Sequence, residues 1–440
     1  MQSSSDTAKR AETRFLLMYN LELQQPLRGA RYRPLTEALS FGRLASHVDA
    51  SGALLPNVVL DDEIGELWLC SQGVLSIPLE GRIIVAFTPR GEALLLLDVT
   101  VRVYSAEDVA SLLFFSWRDR SKIRIDKQSL TAWLGERLHA EGIIAPGNPK
   151  FGRNVHQCVF AGGELANSLL ARTPDQGMLP EIIKIVLRGT LDGNRGSPLG
   201  IKRPEVLNNP QQTLVAHGRG VSLIVGWTEA VENTFALAAL GILNAVATIH
   251  RVRRHAFDAL TLNDTTDLKS IAEARALVSR LTNRLTDLQL DLAFSVEAYA
   301  DTLLIPELLI ESFHSSLRQV SALSEGTANT SQIIERVASA IRARQVMLDA
   351  ATQEYAESRD KVFAAIIAIG TVIALPPALL LAFFGANVSD VDPNRSILDV
   401  GHYALAYALA WLPFLIVVVV GALVRRRVRV RIPGVYSINN

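Results

Sequence analysis

The chain has 440 residues, more than the roughly 250–300 at which a single hydrophobic core stops growing, so more than one structural unit is predicted. Its 44 basic residues balance its 44 acidic residues, and a chain without net charge has no global field that would favour nucleic acid as a partner. Two distant cysteines, Cys70 and Cys158, form no CxxC pair and are expected to be reduced and buried, which is typical of a cytoplasmic domain.

Residues 1–12 are polar and aperiodic, which predicts disorder, and they contain no apolar stretch of the kind found in a signal peptide. Residues 13–262 alternate β-prone and helical patterns, and this alternation predicts a cytoplasmic α/β domain. Helices are expected to begin after Ser105, Ser129 and Thr228, while residues 189–220 are rich in turn formers and predict a loop. Strands are predicted at residues 14–23, 66–70, 82–87, 93–104, 181–189 and 221–227.

The helix after Thr228 contains an apolar run, residues 235–249, that raises the question of a membrane span. The run is short, contains Asn244 and has charged residues close to both ends. These features favour a core helix packed on the sheet over a span.

Residues 263–361 have no strand pattern and predict a helical stalk region. Three segments, 268–304, 306–323 and 331 onward, are rich in helix formers, and residues 324–329 are expected to break the second from the third. The last helix, about 330–361, has apolar residues every seven positions, a coiled-coil-like seam that either packs on its own chain or takes partner subunits. The seam consists of Ile334, Ile341, Leu348, Tyr355 and Val362.

Two uncharged apolar runs near the end of the chain predict transmembrane helices at 362–384 and 402–424, each long enough for the roughly 20 residues that a bilayer core requires. Residues 385–401 then form an extracytoplasmic loop and residues 425–440 a basic tail. The positive-inside rule places this tail, and with it the N-terminal domain, on the cytoplasmic side of an inner or plasma membrane, where the arginines meet the lipid surface. The tail arginines are Arg425, Arg426, Arg427, Arg429 and Arg431.

The run LPPALLLAFFGAN resembles the end of the pore helix in the CorA superfamily of divalent-cation channels, which has a proline in the span and an aromatic residue before Gly-Met-Asn. Pro376 precedes Asn387 at the family spacing, Phe384 takes the aromatic position and Gly385 the glycine. Ala386 replaces the methionine, as the middle residue also varies in the zinc-transporting branch. The second span and basic tail follow in the family's order. The resemblance therefore covers residues 330–431.

The resemblance implies a homopentameric funnel that conducts Mg²⁺ or Zn²⁺ passively and has no covalent cofactor. A cation that keeps its water shell needs neutral oxygen ligands at the mouth, which a ring of Asn387 amides would supply, and Gly385 would let the backbones approach. Thr371 and Leu375 correspond to the narrow part of the family pore, although the Thr371 hydroxyl can equally bond back to its own helix. Acidic residues on the long helix either bind regulatory divalent ions, as in the family, or form a solvated face.

Pro376 and Pro377 remove backbone hydrogen bonds from the first span, so they either provide a hinge for gating or are simply tolerated there. Loop residues Asp390, Asp392 and Asp399 would attract cations. No aspartate, glutamate, lysine or arginine lies in either span, and this favours passive conduction over proton-coupled exchange.

Catalytic motifs are missing from the sequence, which contains no HExxH, phosphate-binding loop or GxSxG, so an enzyme is not predicted. The alternative to a permanent channel is a CorA-like membrane effector. In that case the N-terminal domain would sense a small molecule or a protein and would gate or anchor the membrane hairpin.

Overall fold

The computed structural model describes residues 12–23, 32–52, 55–69, 79–171, 179–190, 200–265, 271–297 and 307–386, with further single positions and short stretches between 394 and 419. The chain divides into two compact units. The first contains Met1–Leu268 with Ala276–Arg342, and the second contains Lys269–Arg275 with Ala343–Asn440.

The described part of the first unit contains one nine-stranded sheet in the order β6-β5-β2-β3-β4-β1-β7-β9-β8. Neighbouring strands pair antiparallel except β7 and β9, which are parallel. The strands are β1 (Thr13–Glu22), β2 (Asn57–Leu69), β3 (Leu79–Phe87), β4 (Ala93–Val101), β5 (Ile123–Ile125), β6 (Gln128–Ser129), β7 (Lys150–Ala161), β8 (Leu214–Gly218) and β9 (Val221–Val225).

Helices connect and cover these strands. They are α1 (Leu35–Ala38), α2 (Ala45–Ala50), α3 (Ala106–Arg118), α4 (Leu130–Ala140), α5 (Gly163–Ala171), α6 (Pro180–Val186), α7 (Glu229–Thr265), α8 (Ile271–Leu292), α9 (Leu308–Val320) and α10 (Leu323–Ala386). Short 3-10 turns occur at Gly42–Leu44, Arg120–Lys122 and Glu205–Leu207, and a π-helical turn, Ala293–Glu297, extends α8.

Strand β1 lies in the interior of the sheet and is buried on both faces, with Phe15 through Tyr19 all fully buried. Phe15, Leu17 and Tyr19 belong to the core under α3–α6, which also contains Leu113 of α3. Helix α7 packs against β1 and β7, and α9 packs against α7. The first unit is therefore a layered α/β domain, as the sequence predicts.

Local signals explain where several predicted elements begin. The Ser105 hydroxyl accepts a hydrogen bond from the Asp108 N–H at 3.2 Å, and the Ser129 hydroxyl accepts one from the Ala132 N–H at 3.2 Å, which caps α3 and α4. In the β3–β4 hairpin, the Thr88 hydroxyl accepts from the Glu92 N–H at 3.0 Å. The predicted strands at 14–23, 82–87, 93–104 and 221–227 are confirmed, with bounds that differ by up to three residues, whereas the strand predicted at 66–70 is only the last part of the longer β2, Asn57–Leu69.

Two predictions in the middle of the domain are wrong. Residues 181–189 are not a strand, because Pro180–Val186 is helix α6, with Pro180 in its first turn and Ile182, Ile185 and Val186 buried at helical spacing. The predicted loop 189–220 contains strand β8 and a 3-10 turn, while its residues 191–199 lie outside the described part.

Helix α7 is confirmed as a core helix. Among the residues whose side chains the structure describes, one helical segment is long and apolar enough to cross a membrane: Glu229–Thr261 of α7, and 83% of its apolar stretch is buried inside the protein. Burial in a folded core accounts for that apolar run without a bilayer.

Helix α10 is longer than predicted. It runs without a break through 64 residues, Leu323–Ala386, so the predicted break at 324–329 is wrong. Ala322, with φ of 50°, separates α9 from α10 instead. Thr330 lies inside the helix and donates its hydroxyl proton to the Gly326 carbonyl at 2.6 Å.

Candidate functional site

The described residues of the predicted pore all lie on the second-unit part of α10. Leu375 is 55% exposed, and Thr371 and Gly385 are exposed as well. The Thr371 hydroxyl donates to the Ile367 carbonyl at 2.9 Å, one turn earlier, so its hydrogen-bonding capacity is partly used within the helix.

The two prolines lie within continuous helix. Pro376 and Pro377 are both part of α10, which continues to Ala386. A proline in a helix removes one backbone donor, and the flanking turns tolerate the loss of that hydrogen bond here.

Several predicted site residues lie outside the described residues. They are Asn387, Asp390, Asp392, Arg425, Arg426, Arg427, Arg429 and Arg431. Asp399 is described, and its carboxylate accepts a hydrogen bond from the His402 N–H at 3.4 Å. The predicted mouth and tail therefore remain predictions.

The seam changes its environment along α10. In the first unit Ile334 and Ile341 are each 2% exposed. In the second unit Leu348 is half-buried, whereas Tyr355 is 69% and Val362 56% exposed. The apolar pattern therefore continues beyond the part of the helix that its own chain covers.

A second region, in the first unit, brings together charged residues that sequence patterns did not connect. A cavity of about 260 Å³ lies between the β7 and β9 end of the sheet and helix α7. Its basic residues, Arg153, Arg188, Arg219 and His250, come from four separate parts of the chain, and we call these four residues the basic cleft. Trp117, Ile242, Leu243 and Val246 form an apolar wall on the same cavity.

Arg188 is held rigidly in this cleft. Its Nε donates to the Gln157 side-chain oxygen at 2.6 Å, and its terminal nitrogen donates to the Gly220 carbonyl at 2.8 Å. The guanidinium lies 5.1 Å from the centre of the Trp117 ring. Burial lowers the Arg188 pKa to about 10, which reflects the cost of holding this cation out of water.

The His250 side chain lies close to several arginines. Its Nδ1 lies 2.9 Å from the Asn154 side-chain oxygen. Burial lowers the His250 pKa, and Arg253, Arg153, Arg219 and Arg254 lower it further, so the imidazole is neutral at neutral pH.

A neighbouring cavity of about 240 Å³ shares Arg153, Asn154 and His250 with the first. Its own charges are largely paired. Arg251 Nε lies 2.6 Å from a Glu92 carboxylate oxygen, and Arg254 lies 3.2 Å from Glu22. Arg153, which lines both cavities, therefore adds positive charge to a cavity whose other charged side chains are largely paired.

Two buried histidines lie behind the cleft. His156 Nε2 is 2.9 Å and His217 Nδ1 is 3.1 Å from the Ser222 hydroxyl. Burial lowers the pKa of both histidines to about 3, so both are neutral in the folded domain. They are structural groups, because neither Ser222 nor His217 has any exposed surface.

Sequence reasoning missed the basic cleft because its members are far apart in the chain and share no motif. Within the described residues, no group of three or more His, Cys, Asp or Glu residues could hold a metal ion. Comparison with protein families, curated proteins and solved structures finds no match for this chain.

Proposed function

We propose that the chain is a CorA-like membrane channel that passes Mg²⁺ or a related divalent cation through an oligomeric pore, with a ring of Asn387 side chains at the outer mouth. The observation that supports this most is α10, one helix of 64 residues whose seam is buried at Ile341 and exposed at Tyr355.

The exposed apolar side chains of α10 need contact with lipid or with another protein surface that shields them from water. Eight large apolar residues between 346 and 375 are at least 55% exposed, and such a surface on a helix marks contact with lipid or with partner chains. They are Val346, Met347, Tyr355, Val362, Phe363, Ile366, Ile367 and Leu375. In our proposal, copies of the chain cover the seam before residue 362, and lipid and neighbouring spans cover the remainder.

The proposed arrangement has two spans, 362–384 and 402–424, with both termini cytoplasmic in an inner or plasma membrane. Asn387 follows the last residue of α10, Ala386, so a ring of these amides would meet the cation where the pore helix ends. Five subunits follow from the CorA resemblance, and one asparagine per chain gives a ring only in an oligomer.

Ion flux into proteoliposomes tests the proposal. Asn387→Ala is expected to abolish or relax selective uptake of Mg²⁺ and Zn²⁺, whereas the matched control Asn394→Ala, in the same loop, should conduct as the parent does. Equal selective flux through Asn387→Ala would show that the proposed ring does not select the ion.

The effector alternative is separated from a permanent channel by expression in a strain that lacks Mg²⁺ uptake. A permanent channel restores growth at low Mg²⁺. An effector leaves growth unrestored and becomes toxic once its trigger is present, and in that case the membrane effector replaces the transport proposal.

A further inference from the structure

The charged residues that line the basic cleft indicate which class of ligand it would bind. Among the described residues that line the larger cavity there are three arginines, Arg153, Arg188 and Arg219, and no aspartate or glutamate. Elsewhere in the first unit, partly or fully buried arginines such as Arg14 and Arg82 pair with a carboxylate, Arg14 with Asp98 at 2.6 Å and Arg82 with Asp61 at 2.6 Å. The cleft therefore concentrates positive charge that the chain itself does not neutralise.

The two outer arginines are available to a ligand. The side chains of Arg153 and Arg219 are exposed, and neither has an ion-pair partner among the described residues. Arg188 is fixed deeper, by Gln157 and the Gly220 carbonyl. Guanidinium groups donate paired hydrogen bonds that match the oxygens of a phosphate, and one fixed with two adjustable donors can surround such a group.

The remaining walls favour an organic molecule over a bare ion. Trp117, whose ring is in contact with the Arg188 guanidinium, lines the cavity together with Ile242, Leu243 and Val246 of α7. Asn154, which lines both cavities, offers amide hydrogen-bonding groups between them. A site with one strongly cationic end and an apolar, aromatic wall suits a ligand with the same division.

We propose that the basic cleft of the α/β domain binds a small organic phosphate of about nucleotide size, with its phosphates on Arg153, Arg188 and Arg219 and its organic part against Trp117 and the α7 wall. This site is separate from the proposed pore and does not depend on ion conduction. A phosphate bound in the basic cleft would neutralise the positive charge that faces both β7 and α7. The ligand would therefore also stabilise the packing of those two elements.

The test uses the full chain in detergent micelles, with ATP in EDTA as the probe and isothermal titration calorimetry as the measurement. Saturable binding at one ATP per chain is expected, with a dissociation constant below about 1 mM for a specific small-ligand site. Arg153→Ala and Arg219→Ala should each weaken binding at least tenfold, since each removes a charged hydrogen-bond donor. Arg124→Ala, an exposed arginine on the distant strand β5, should leave the affinity within twofold of the parent.

Two further measurements keep the outcome decisive. Thermal melts without ATP should be unchanged in Arg153→Ala and Arg219→Ala, since both side chains are exposed, so weaker binding cannot be assigned to unfolding. Tripolyphosphate alone should bind at least tenfold more weakly than ATP. Any of four results would overturn the proposal. They are the absence of saturable ATP binding, an ATP affinity in the arginine variants equal to that of the parent, tripolyphosphate binding as tight as ATP binding, and an RNA oligonucleotide that binds the cleft more tightly than ATP.

Discussion

The two ends of helix α10 have the same apolar pattern in different surroundings. Ile334 and Ile341 are buried in the first unit, where the helix belongs to a packed α/β domain. Tyr355 and Val362 continue the same seven-residue spacing in the second unit and are mostly exposed. A heptad pattern thus specifies that a helix face needs a partner, and it does not specify whether that partner is the same chain.

The ion pairs differ between the two units in the same way. Arg14 forms a two-pronged pair with Asp98, its Nε lying 2.7 Å from one carboxylate oxygen, and the arginine side chain is only 3% exposed. Arg275 and Asp349 of the second unit lie 3.1 Å apart but are 53% and 58% exposed. The first pair is part of a core, and the second is a surface contact.

The largest expected effect comes from breaking the buried pair. Asp98→Asn leaves the Arg14 cation buried with Glu232 at 3.6 Å as its nearest remaining carboxylate, so a loss of about 3–5 kcal/mol of unfolding free energy is expected. Asp349→Asn, the matched change in the second unit, should cost less than about 1 kcal/mol, since water already screens that pair. Thermal melts of both variants make the comparison, and similar losses would contradict the contrast between the units.

Alanine substitutions in the seam of α10 should show which of its residues stabilise the α/β domain and which hold subunits together. Ile341→Ala creates a cavity in the first unit and should cost about 2–4 kcal/mol of stability. Tyr355→Ala removes an exposed side chain, so it should leave the thermal melt of the α/β domain unchanged and instead reduce the oligomer mass measured by light scattering. Glu354→Ala, one position away on the exposed surface, is the control that should change neither. An unchanged oligomer in Tyr355→Ala would mean that the exposed seam is not a subunit contact.

A third contrast is a pH dependence of the first unit, which accumulates gradually over several pH units. The unfolded chain binds protons on His156 and His217 below about pH 6.5, whereas the folded domain keeps both neutral until about pH 3. Stability of the domain should therefore fall as the pH is lowered through this window, by up to about 1.4 kcal/mol per pH unit for each histidine. Tryptophan fluorescence melts report it, and His217→Gln should reduce the slope by roughly half. A melting temperature that is constant from pH 6.5 to 4 would show that other groups compensate.

Elements with strong local signals were predictable from the sequence. The serine caps of α3 and α4 and the Pro-Arg-Gly turn between β3 and β4 fix their neighbours through contacts within a few residues. The burial of α7 was also predictable, because charged residues flank its short apolar run.

Elements defined by distant contacts were not predictable in this way. The run after Pro180 is rich in β-branched residues, yet it is helical because Ile182, Ile185 and Val186 bury one helical face, and α6 packs against α3. Strand β7 has no counterpart among the predicted strands, since its polar residues His156 and Gln157 look exposed in sequence and are buried by hydrogen bonds to distant groups. The basic cleft likewise depends on β7, β9 and α7 meeting, which no local pattern encodes.

The interior position of β1 has a consequence for how the protein is made. This strand, at Thr13–Glu22, pairs with β4 on one side and with β7 on the other. During synthesis it leaves the ribosome before its second partner, Lys150–Ala161, which follows only after more than a hundred further residues. Until then a largely apolar strand has one open edge, which is expected to slow the closure of the nascent α/β domain and to expose it to aggregation.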